Sequence, residues 1–504
     1  MRGLSLGGGA WVWRAVLLAS LCTGMLQTPP AQASDGLFRA PISIALSPDI
    51  RPFADRIIDY YGDRNPRTGF SVQETSGPQA MRRFCAGQAS EAVQVAALPR
   101  RMWRSEARRC DRNNVAFVEH VMGAQAIVIL ASKDTPAFNL DLGTLYRAIS
   151  GSAEKGEPAT RWRQLDAQLP DMPIRILLPA RSAGLHPVLD EAGLQVGCQR
   201  VSAVRAIADT TARVAACNRL RGDGLVVESA DAAEIIADLA TAAPGTIALL
   251  PRDAMESAAG PYSVISIDGV PPTLRAIWDG SYPLARHFHI YARQGASVSP
   301  DLYGFVLTAS SRPFTQPGGT FDRMGLILPL AGDSAPVPAR PQNGAAGWVE
   351  SMAGEAGAKA KAAAQSAWSG VLSLAGSVAG VFRTGTLGDM TQSALQENRD
   401  LTRLLELAGF DLIRIEREGR FLPALTAIFE RRRELSDVER GLLESESDRI
   451  AHSAGDYASR LKLAVIDDLL DVAEEGRFQV DEIAVDFTLL PGLRYTLVPV
   501  AVQR

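Results

Sequence analysis

The sequence of 504 residues predicts an α/β fold that is followed by a linker and a small α+β domain. Three observations lead to this prediction. Short β-rich runs alternate with helical patterns from about residue 37 to residue 330, an order that is typical of parallel α/β architecture. Residues 331–365 are rich in proline, glycine and alanine and show no period, which indicates a solvated linker. From residue 366 onward, amphipathic helical patterns and two strand-like runs replace the alternation.

The elements of the first part follow from local patterns. Residues 41–46 predict a strand, and residues 53–61 predict a helix because Phe53, Ile57, Ile58 and Tyr61 recur on one helical face. Residues 121–130 form a nearly continuous apolar run, as expected for a strand that is covered on both faces. The same criteria predict further elements, namely a helix at 142–149 and strands at 174–178 and 246–250.

The last part predicts helices first and strands at its end. Residues 366–382 carry no charged side chain and favour packing on the same domain, a membrane surface or a partner protein. Amphipathic helices are predicted at 401–410 and 461–473, and Ser436 with Glu439 has the spacing of a capping box. Two strands, at 480–489 and 494–502, are predicted to pair, with alternate residues of the first on a buried face. Those residues are Ile483, Val485, Phe487 and Leu489.

The composition limits the class of protein. The hydrophobic fraction of 46% supports a sizeable core and argues against disorder. The chain has 52 basic and 56 acidic residues, and this balance argues against a nucleic-acid partner, which requires a clear positive excess.

The N-terminus predicts export. Arg2 and Arg14 precede a short apolar stretch at 15–26, and the small-x-small sequence at 31–33 follows two prolines. We therefore expect residues 1–33 to be a signal peptide that is removed before Ser34, which places the protein in the periplasm. The alternative is that this segment remains as a membrane anchor.

Cysteine usage agrees with an oxidising compartment. Four cysteines remain after residue 33, namely Cys85, Cys110, Cys198 and Cys217. Three pairings are possible, and we favour Cys85 with Cys110 and Cys198 with Cys217 because these pairs are local.

Residues that would carry out catalysis are scarce. The chain has five histidines, and the common nucleophile, metalloprotease and phosphate-loop motifs are absent. His287 and His289 would lie on one face of a strand and offer half of a zinc site, but no third ligand is nearby in sequence. We expect neither an enzyme nor a metal or cofactor.

Several short segments, in order along residues 40–330, match one family. They lie at 83–87 (RFCAG), 95–100 (VAALPR), 124–130, 140–145, 149–151, 169–175, 267–272, 280–286 and 290–293, together with Trp162. This ordered set resembles the periplasmic phosphate-binding proteins of ABC transporters. Residues 348–504 have no counterpart in that family.

The resemblance implies a two-lobed type II periplasmic-binding-protein fold. Lobe 1 would hold residues 37–121 and 283–330, lobe 2 would hold residues 122–282, and the C-terminal domain would hold residues 366–504. It also implies a small-molecule ligand, phosphate or a related anion, in the cleft between the lobes, and an ABC permease as partner. Such folds close around their ligand.

The resemblance also implies the ligand-binding residues. A dehydrated oxyanion requires helix N-termini, hydroxyl donors and an arginine. The matching positions are Ser47, Ser76, Gln94, Arg181, Ser182 and Gly184. Gln94 stands where the family has an aspartate that accepts a proton from the ligand, Pro99–Arg100 stands where it has Ser-Arg, and His186 stands where it has threonine. Each residue also has a structural alternative: helix caps for the serines, a polar strand end for Gln94, and a surface ion pair for Arg181.

Two functions remain open from the sequence. The first is an extracytoplasmic solute-binding protein that serves an ABC transporter. The second is a degenerate scaffold of the same fold that acts through its C-terminal domain as an envelope interaction protein. Loss of the family's aspartate and of its glycine-rich loop favours the second, whereas Arg181 favours the first. A hydrolase is disfavoured because no nucleophile and base can be identified.

Overall fold

The computed structural model describes residues 41–328 and 399–500, apart from short gaps. The gaps are at 90, 153–156, 182–183, 230, 258–259, 261, 296–299, 419–423, 454–468, 471, 473–477 and 488–491. The predicted signal peptide, the predicted linker and the segment 366–382 therefore lie outside the described residues, and so does most of the helix predicted at 461–473.

The strands of the described residues form two sheets. The larger sheet contains β1 (Ile42–Leu46), β2 (Phe70–Glu74), β3 (Val95–Leu98), β4 (Phe117–Ala131), β5 (Asn139–Leu140), β6 (Arg175–Pro179), β7 (Val226–Ser229), β8 (Thr246–Pro251), β9 (Ser263–Ile267) and β10 (Ala285–Arg293). The smaller sheet contains β11 (Phe410–Glu418), β12 (Ala424–Arg431), β13 (Phe478–Phe487) and β14 (Gly492–Pro499).

Helices connect most of these strands. In the first part they are α1 (Arg51–Arg64), α2 (Gly77–Phe84), α3 (Arg104–Arg112), α4 (Leu142–Ser150), α5 (Trp162–Leu165), α6 (His186–Val188), α7 (Gln195–Cys198), α8 (Ser202–Arg205), α9 (Thr210–Cys217), α10 (Ala232–Thr241), α11 (Arg252–Ser257), α12 (Leu274–Trp278), α13 (Pro300–Ala309), α14 (Arg312–Thr315) and α15 (Thr320–Arg323). A 3₁₀ turn lies at Pro48–Ile50 and a π-helical turn at Leu189–Leu194. The C-terminal part adds α16 (Arg399–Leu407) and α17 (Asp437–Ser453).

Two long antiparallel strands, β4 and β10, join two lobes. On one side of them the sheet order is β2-β1-β3-β10, and on the other it is β4-β8-β6-β7, with β9 also paired to β4. Each side has its own core. The first core draws on residues from 42–122 and 288–326, and the second draws on residues from 124–284. This is the two-lobed α/β fold that the sequence predicts, and the expected borders between the lobes fall within or beside the two crossing strands.

Strand β4 is longer than the apolar run that predicts it. It spans 15 residues, and its first half contains the buried polar residues Glu119 and His120. These side chains interrupt the apolar pattern, but Glu119 is paired to the crossing strand β10 through Tyr291 and His289. Hydrophobicity alone therefore detects only the second half of the strand.

The C-terminal part is a small α+β unit. Its sheet is antiparallel in the order β11-β12-β13-β14, and α16 and α17 pack against it. Ile483 and Val485 are buried as predicted, and the capping box is confirmed, since the Ser436 N–H donates to Glu439 at 2.7 Å. The prediction of a helix through residue 410 is wrong at its end. Gly409 adopts a φ of +88°, which ends the helical segment, and Phe410 begins β11.

Strands β11 and β12 are not predicted from the sequence. Charged residues such as Arg414 and Glu416 occupy exposed positions of β11, so that strand contains no long apolar run, whereas residues 426–429 of β12 are buried. Among the described residues, no helix has both the length and the apolar character that crossing a membrane requires.

Close packing between α4 and α7 yields a first prediction. A Cβ on Gly197 would clash with the Leu142 carbonyl oxygen and would lie 2.8 Å from the Cβ of Tyr146. Because backbone atoms block the space, we expect Gly197→Ala to lower the free energy of unfolding by about 1–3 kcal/mol. Urea unfolding would measure this loss. Gly222→Ala is the control, since no atom lies within 4 Å of the added methyl; equal effects of the two substitutions would contradict the packing argument.

Candidate ligand-binding site

The carboxyl ends of β1, β2 and β3 meet at one edge of lobe 1. The Ser47 N–H donates to the Ala97 carbonyl at 3.2 Å, and the Thr75 N–H donates to the Leu46 carbonyl at 2.9 Å. Ser47 is buried, and its Oγ has no hydrogen-bond partner among the described residues. Ser76 precedes α2. Neither serine side chain makes a capping hydrogen bond, so the structure brings two predicted hydroxyls to this edge without occupying them as helix caps.

Arg100 lies at the same edge, after β3 and beside the N-terminus of α2. A methyl group on Gly77 would lie 3.5 Å from its Nη2. The guanidinium donates to both carboxylate oxygens of Glu106, at 2.7 and 2.9 Å, and lies 3.6 Å from the centroid of the Trp103 ring. Burial lowers the pKa of Arg100, but Glu106 more than compensates and leaves this pKa above its ordinary value. The sequence places Arg100 in the matching segment without assigning it to the site.

Gln94 lies at the other end of β3. Its N–H donates to Ser43, at 3.0 Å to the carbonyl and 3.1 Å to Oγ, and its carbonyl accepts from the Arg293 N–H at 3.0 Å. The four residues of β3, about 13 Å at 3.3 Å per residue, and Pro99 separate it from Arg100. The structure therefore does not bring Gln94 together with Ser47 and Ser76. The match of Gln94 to the family's aspartate therefore assigns to the carboxyl end of β3 a residue that lies at its amino end.

The predicted residues of lobe 2 follow β6. Arg181, about half exposed, donates to Asp190 Oδ2 at 3.3 Å and to the Asn218 carbonyl at 2.8 Å. This is the surface ion pair that the sequence leaves open as the alternative. Among the described residues, no atom lies within 4 Å of a methyl group added to Gly184. Ser182 lies outside the described residues.

His186 occupies the position of the family's threonine and is buried. Its Nδ1 lies 3.5 Å from Asp190 Oδ1, and its Nε2 lies 3.4 Å from Glu228 Oε1. Neither contact has hydrogen-bond geometry. The carboxylates of Asp190 and Glu228 therefore flank the imidazole on the lobe-2 side of the candidate site. The resemblance would place a threonine hydroxyl at this position.

Arg286 connects the lobes from the crossing strand β10. Its Nη1 lies 2.8 Å from Asp49 of lobe 1 and 3.5 Å from Glu191 of lobe 2, and its Nη2 donates to Gln125 at 3.1 Å. The side chain is only 7% exposed. Burial raises the pKa of Glu191 more than Arg286 lowers it. The signal in the sequence is an arginine at the start of a strand that also contains two histidines and ends at Arg293.

A histidine cluster lies farther along the same crossing strands. The rings of His287 and His289 are 6.3 Å apart between centroids, and His289 Nδ1 lies 2.8 Å from Glu119 Oε1. Tyr291 donates to the same carboxylate oxygen at 2.8 Å. Within the part of the chain that the structure describes, no group of three or more histidine, cysteine or acidic side chains could hold a metal ion.

Burial also determines how this cluster titrates. It lowers the pKa of His120 to about 4, and nearby His289 acts in the same direction. The pKa of His287 is likewise lowered to about 4, by burial first and by His289 second. Burial raises the pKa of Glu119, but the contacts with His289 and Arg101 leave it below its ordinary value. The cluster thus holds two neutral imidazoles and a charged carboxylate at neutral pH.

The structure joins Cys85 to Cys110 and Cys198 to Cys217, which are the two pairings that the sequence favours. The first bond attaches α3 to the end of α2, and the second attaches α9 to α7. Each bond therefore joins two helices of the same lobe.

The chain is similar to several known proteins. Protein SphX of Synechococcus elongatus is 22% identical over 298 residues, which cover 58% of this chain and 79% of SphX. Protein SphX of Synechocystis sp. is 25% identical over 192 residues, which cover 38% of this chain and 54% of that protein. A solved structure of a possible phosphate binding protein from Planctomyces limnophilus has 15% identity and a TM-score of 0.44, and covers 58% of this chain and 94% of its own.

A family model also matches the part of the chain that contains the two crossing strands. The model describes the PBP superfamily domain and matches residues 28–307, which include both crossing strands, all of lobe 2 and lobe 1 except its last helices. Because this match extends over more than half of the chain, the protein belongs to the PBP superfamily.

Proposed function

We propose that this protein is an extracytoplasmic solute-binding protein that binds phosphate or a related small oxyanion between its two lobes. One observation carries the proposal: hydroxyl and cationic side chains from both lobes and from a crossing strand lie at the facing strand ends. Ser47, Ser76 and Arg100 come from lobe 1, Arg181 comes from lobe 2, and Arg286 lies between them. Charge-assisted hydrogen bonds from such groups offset the dehydration of an anion. The family is one of binding proteins and not of enzymes.

The proposal includes the partner, the compartment and the domains. The ligand-loaded protein would deliver its solute to an ABC permease, after export and removal of residues 1–33. Residues 37–330 would form the solute-binding unit, and residues 366–504 the appended domain. The segment 366–382 would contact a membrane surface or a protein. N-terminal sequencing of the exported protein is expected to begin at Ser34; a retained N-terminus would overturn the export step.

Carboxylates restrict which anion fits. Glu106 pairs with Arg100, Asp190 pairs with Arg181, and Arg286 contacts Asp49 and Glu191. An entering anion has to compete with these groups, so a singly charged or partly protonated oxyanion meets less repulsion than a fully ionised one. We propose that the ligand displaces Asp190 from Arg181, since Arg181 is the most exposed of the three arginines.

The paired arginines also support a second candidate function. If the carboxylates are permanent partners of the arginines, the lobes form a scaffold without a ligand, and the protein acts through its C-terminal domain in the envelope. The contacts of that domain with both lobes favour this alternative.

Titration calorimetry of the full chain with inorganic phosphate distinguishes the two functions. A receptor is expected to bind with micromolar or higher affinity, about −8 kcal/mol or better. Arg181→Ala is expected to weaken binding by at least about tenfold, because a charge-assisted hydrogen bond contributes about 1.5–3 kcal/mol. Arg161→Ala is the control, since Arg161 forms an exposed ion pair with Asp171 elsewhere in lobe 2.

Two outcomes would contradict the proposal. If folded protein binds neither phosphate nor sulfate nor a phosphonate, the scaffold function is favoured. If Arg181→Ala and Arg161→Ala weaken phosphate binding equally, the anion does not bind at the lobe-2 edge.

A further inference from the structure

Helix α17 of the C-terminal domain contacts lobe 1 at the N-terminus of α3. The Glu444 carboxylate accepts from the Ser105 hydroxyl at 2.6 Å, from the Ser105 N–H at 3.3 Å and from the Arg104 N–H at 3.2 Å. Glu444 and Ser105 are both buried. A carboxylate from one domain thus satisfies the first N–H groups of a helix in another, where the helix dipole also favours a negative charge.

The same helix contacts lobe 2 about one and a half turns earlier. Glu439 accepts two hydrogen bonds from Arg213 of α9, at 2.9 Å from Nε and 2.8 Å from Nη2. The hydroxyl of Thr210 donates to the Glu434 carbonyl at 3.1 Å. Arg213 and Glu439 are 1% and 3% exposed, so this contact is dry. One helix is therefore attached to both lobes through buried acidic residues.

A third contact extends from α17 toward the candidate site. Trp103 lies between two guanidinium groups: Arg100 at 3.6 Å and Arg440 at 5.3 Å from the ring centroid. Arg100 belongs to the carboxyl edge of lobe 1, and Arg440 belongs to α17. The ring is buried and its N–H edge faces Gly441. The C-terminal domain thus also packs against the residue that supports Arg100.

We propose that the C-terminal domain is a brace between the lobes, with Glu439 and Glu444 as its positioning residues, and that it sets the affinity of the cleft. Rotation of the lobes about β4 and β10 changes the distance between α3 and α9. Because α17 is attached to both helices, such rotation breaks one of the two buried contacts. The brace therefore favours the lobe arrangement in which Arg286 reaches Asp49 and Glu191 together.

The effect on affinity follows from populations. This part of the proposal rests on the proposed function, since it assumes that phosphate binds between the lobes. Apparent affinity falls in proportion to the fraction of molecules in the binding-competent arrangement. If release of one end of the brace lowers this fraction from near one to about a tenth, apparent affinity falls about tenfold.

The lobe arrangement itself can be measured without a ligand. Spin labels on cysteines introduced at Asp63 of α1 and Asp238 of α10, both exposed, report the distance between the lobes by double electron–electron resonance in the full chain with Cys22→Ser. Glu444→Ala is expected to broaden the distance distribution. Glu444→Gln retains a carbonyl acceptor for Ser105 and is expected to restore most of the narrow distribution. Glu416→Gln, in an exposed ion pair of the same domain, is the control and is expected to change nothing.

Phosphate calorimetry on the same variants tests the second step. We expect Glu444→Ala to weaken phosphate binding about tenfold and Glu416→Gln to leave it unchanged. If Glu444→Ala perturbs folding, Ser105→Ala removes only one hydrogen bond of the contact and is expected to act in the same direction with a smaller effect. Circular dichroism establishes which variants are folded.

The outcomes separate the brace from the proposed function. If the distance distribution of folded Glu444→Ala is unchanged, the proposal of a brace is wrong, whether or not the protein binds phosphate. A broadened distribution with no phosphate binding in any variant overturns the proposed function and leaves the brace in place. A broadened distribution with unchanged phosphate affinity overturns the link between the brace and the cleft.

Discussion

Arg213→Ala is expected to lower the free energy of unfolding by about 1.5–3 kcal/mol, because it removes charge-assisted hydrogen bonds to the buried Glu439 carboxylate and leaves it only Arg433 and the Ser436 N–H as partners. Both side chains are almost fully buried at the contact between lobe 2 and the C-terminal domain. Burial raises the pKa of Glu439, but the hydrogen bond from Arg213 and its other contacts hold this pKa below the ordinary value. The carboxylate therefore remains charged in the folded protein at neutral pH.

Arg213 also donates to backbone carbonyl groups of both domains. It donates to the Ile207 carbonyl at 2.6 Å and to the Ala208 carbonyl at 3.1 Å, just before α9. Its Nη2 also reaches the Glu434 carbonyl of the C-terminal domain. Truncation thus removes one side chain that joins the segment before α9 in lobe 2 to the segment before α17.

Urea unfolding followed by circular dichroism would measure the loss. Arg161→Ala, in an exposed ion pair, is the control and should cost less than about 1 kcal/mol. Because Glu439 also pairs with Arg433, only the combination of Arg213→Met, Arg433→Met and Glu439→Leu removes all three buried charges, and it should recover part of the stability. A cost for Arg213→Ala as small as that for Arg161→Ala would show that the domain contact does not contribute to folding.

When the pH falls from about 7.5 to about 5, His120 and His287 are each expected to lower the free energy of unfolding by about 2 kcal/mol. Their folded pKa values are about 4, whereas an unfolded histidine titrates near 6.5. Below pH 6.5 the unfolded chain takes up protons that the folded protein does not. The stabilisation is therefore complete above about pH 6.5 and is lost as the pH falls toward 4.

Neighbouring groups act in the same direction at lower pH. The pKa of the Glu119 carboxyl is lower in the folded protein than its ordinary value. The stabilisation that this difference gives is lost as the pH falls from the ordinary value through the pKa of the folded protein. His289 lies between the two neutral imidazoles and contacts Glu119. The crossing strands that join the lobes should therefore be the acid-sensitive part of the fold.

Unfolding free energies at about pH 7.5 and pH 5 would test this expectation. His287→Gln removes one of the two titrating groups and should reduce the loss between these pH values by about half. Trp278→Phe is a matched control, because it alters the ring that packs on His287 and leaves both imidazoles in place. An equal pH dependence in wild type and His287→Gln would mean that His287 is not kept neutral by burial.

Local patterns were sufficient for much of the fold. Strand β1, helix α4 and the capping box at the start of α17 lie where the sequence predicts them. The apolar runs and short cap signals behind these predictions depend on residues a few positions apart. Strand β11 was missed because charged residues occupy its exposed positions. Strand β12, whose residues 426–429 are buried, was missed because its apolar segment is short and its partner β13 lies far along the chain.

The site was predicted less completely. Ser47 and Ser76 lie at the expected edge, and Arg181 follows β6 in lobe 2 as an ion pair with Asp190. Gln94 was assigned to the site by matching the sequence to the family. In the structure Gln94 precedes β3 and Arg100 follows it, so Arg100 is the residue that lies at the carboxyl edge.

The sequence by itself predicted the α/β class, the family resemblance through its ordered motifs, and a change of pattern toward the C-terminus, and it favoured one of three possible disulfide pairings, which the structure confirms. These follow from composition, periodicity and order along the chain. Only the tertiary structure decided that Arg286 joins the lobes and that α17 is attached to both of them. Those contacts connect residues that lie far apart in the chain, and no local pattern records which buried charge will face which partner.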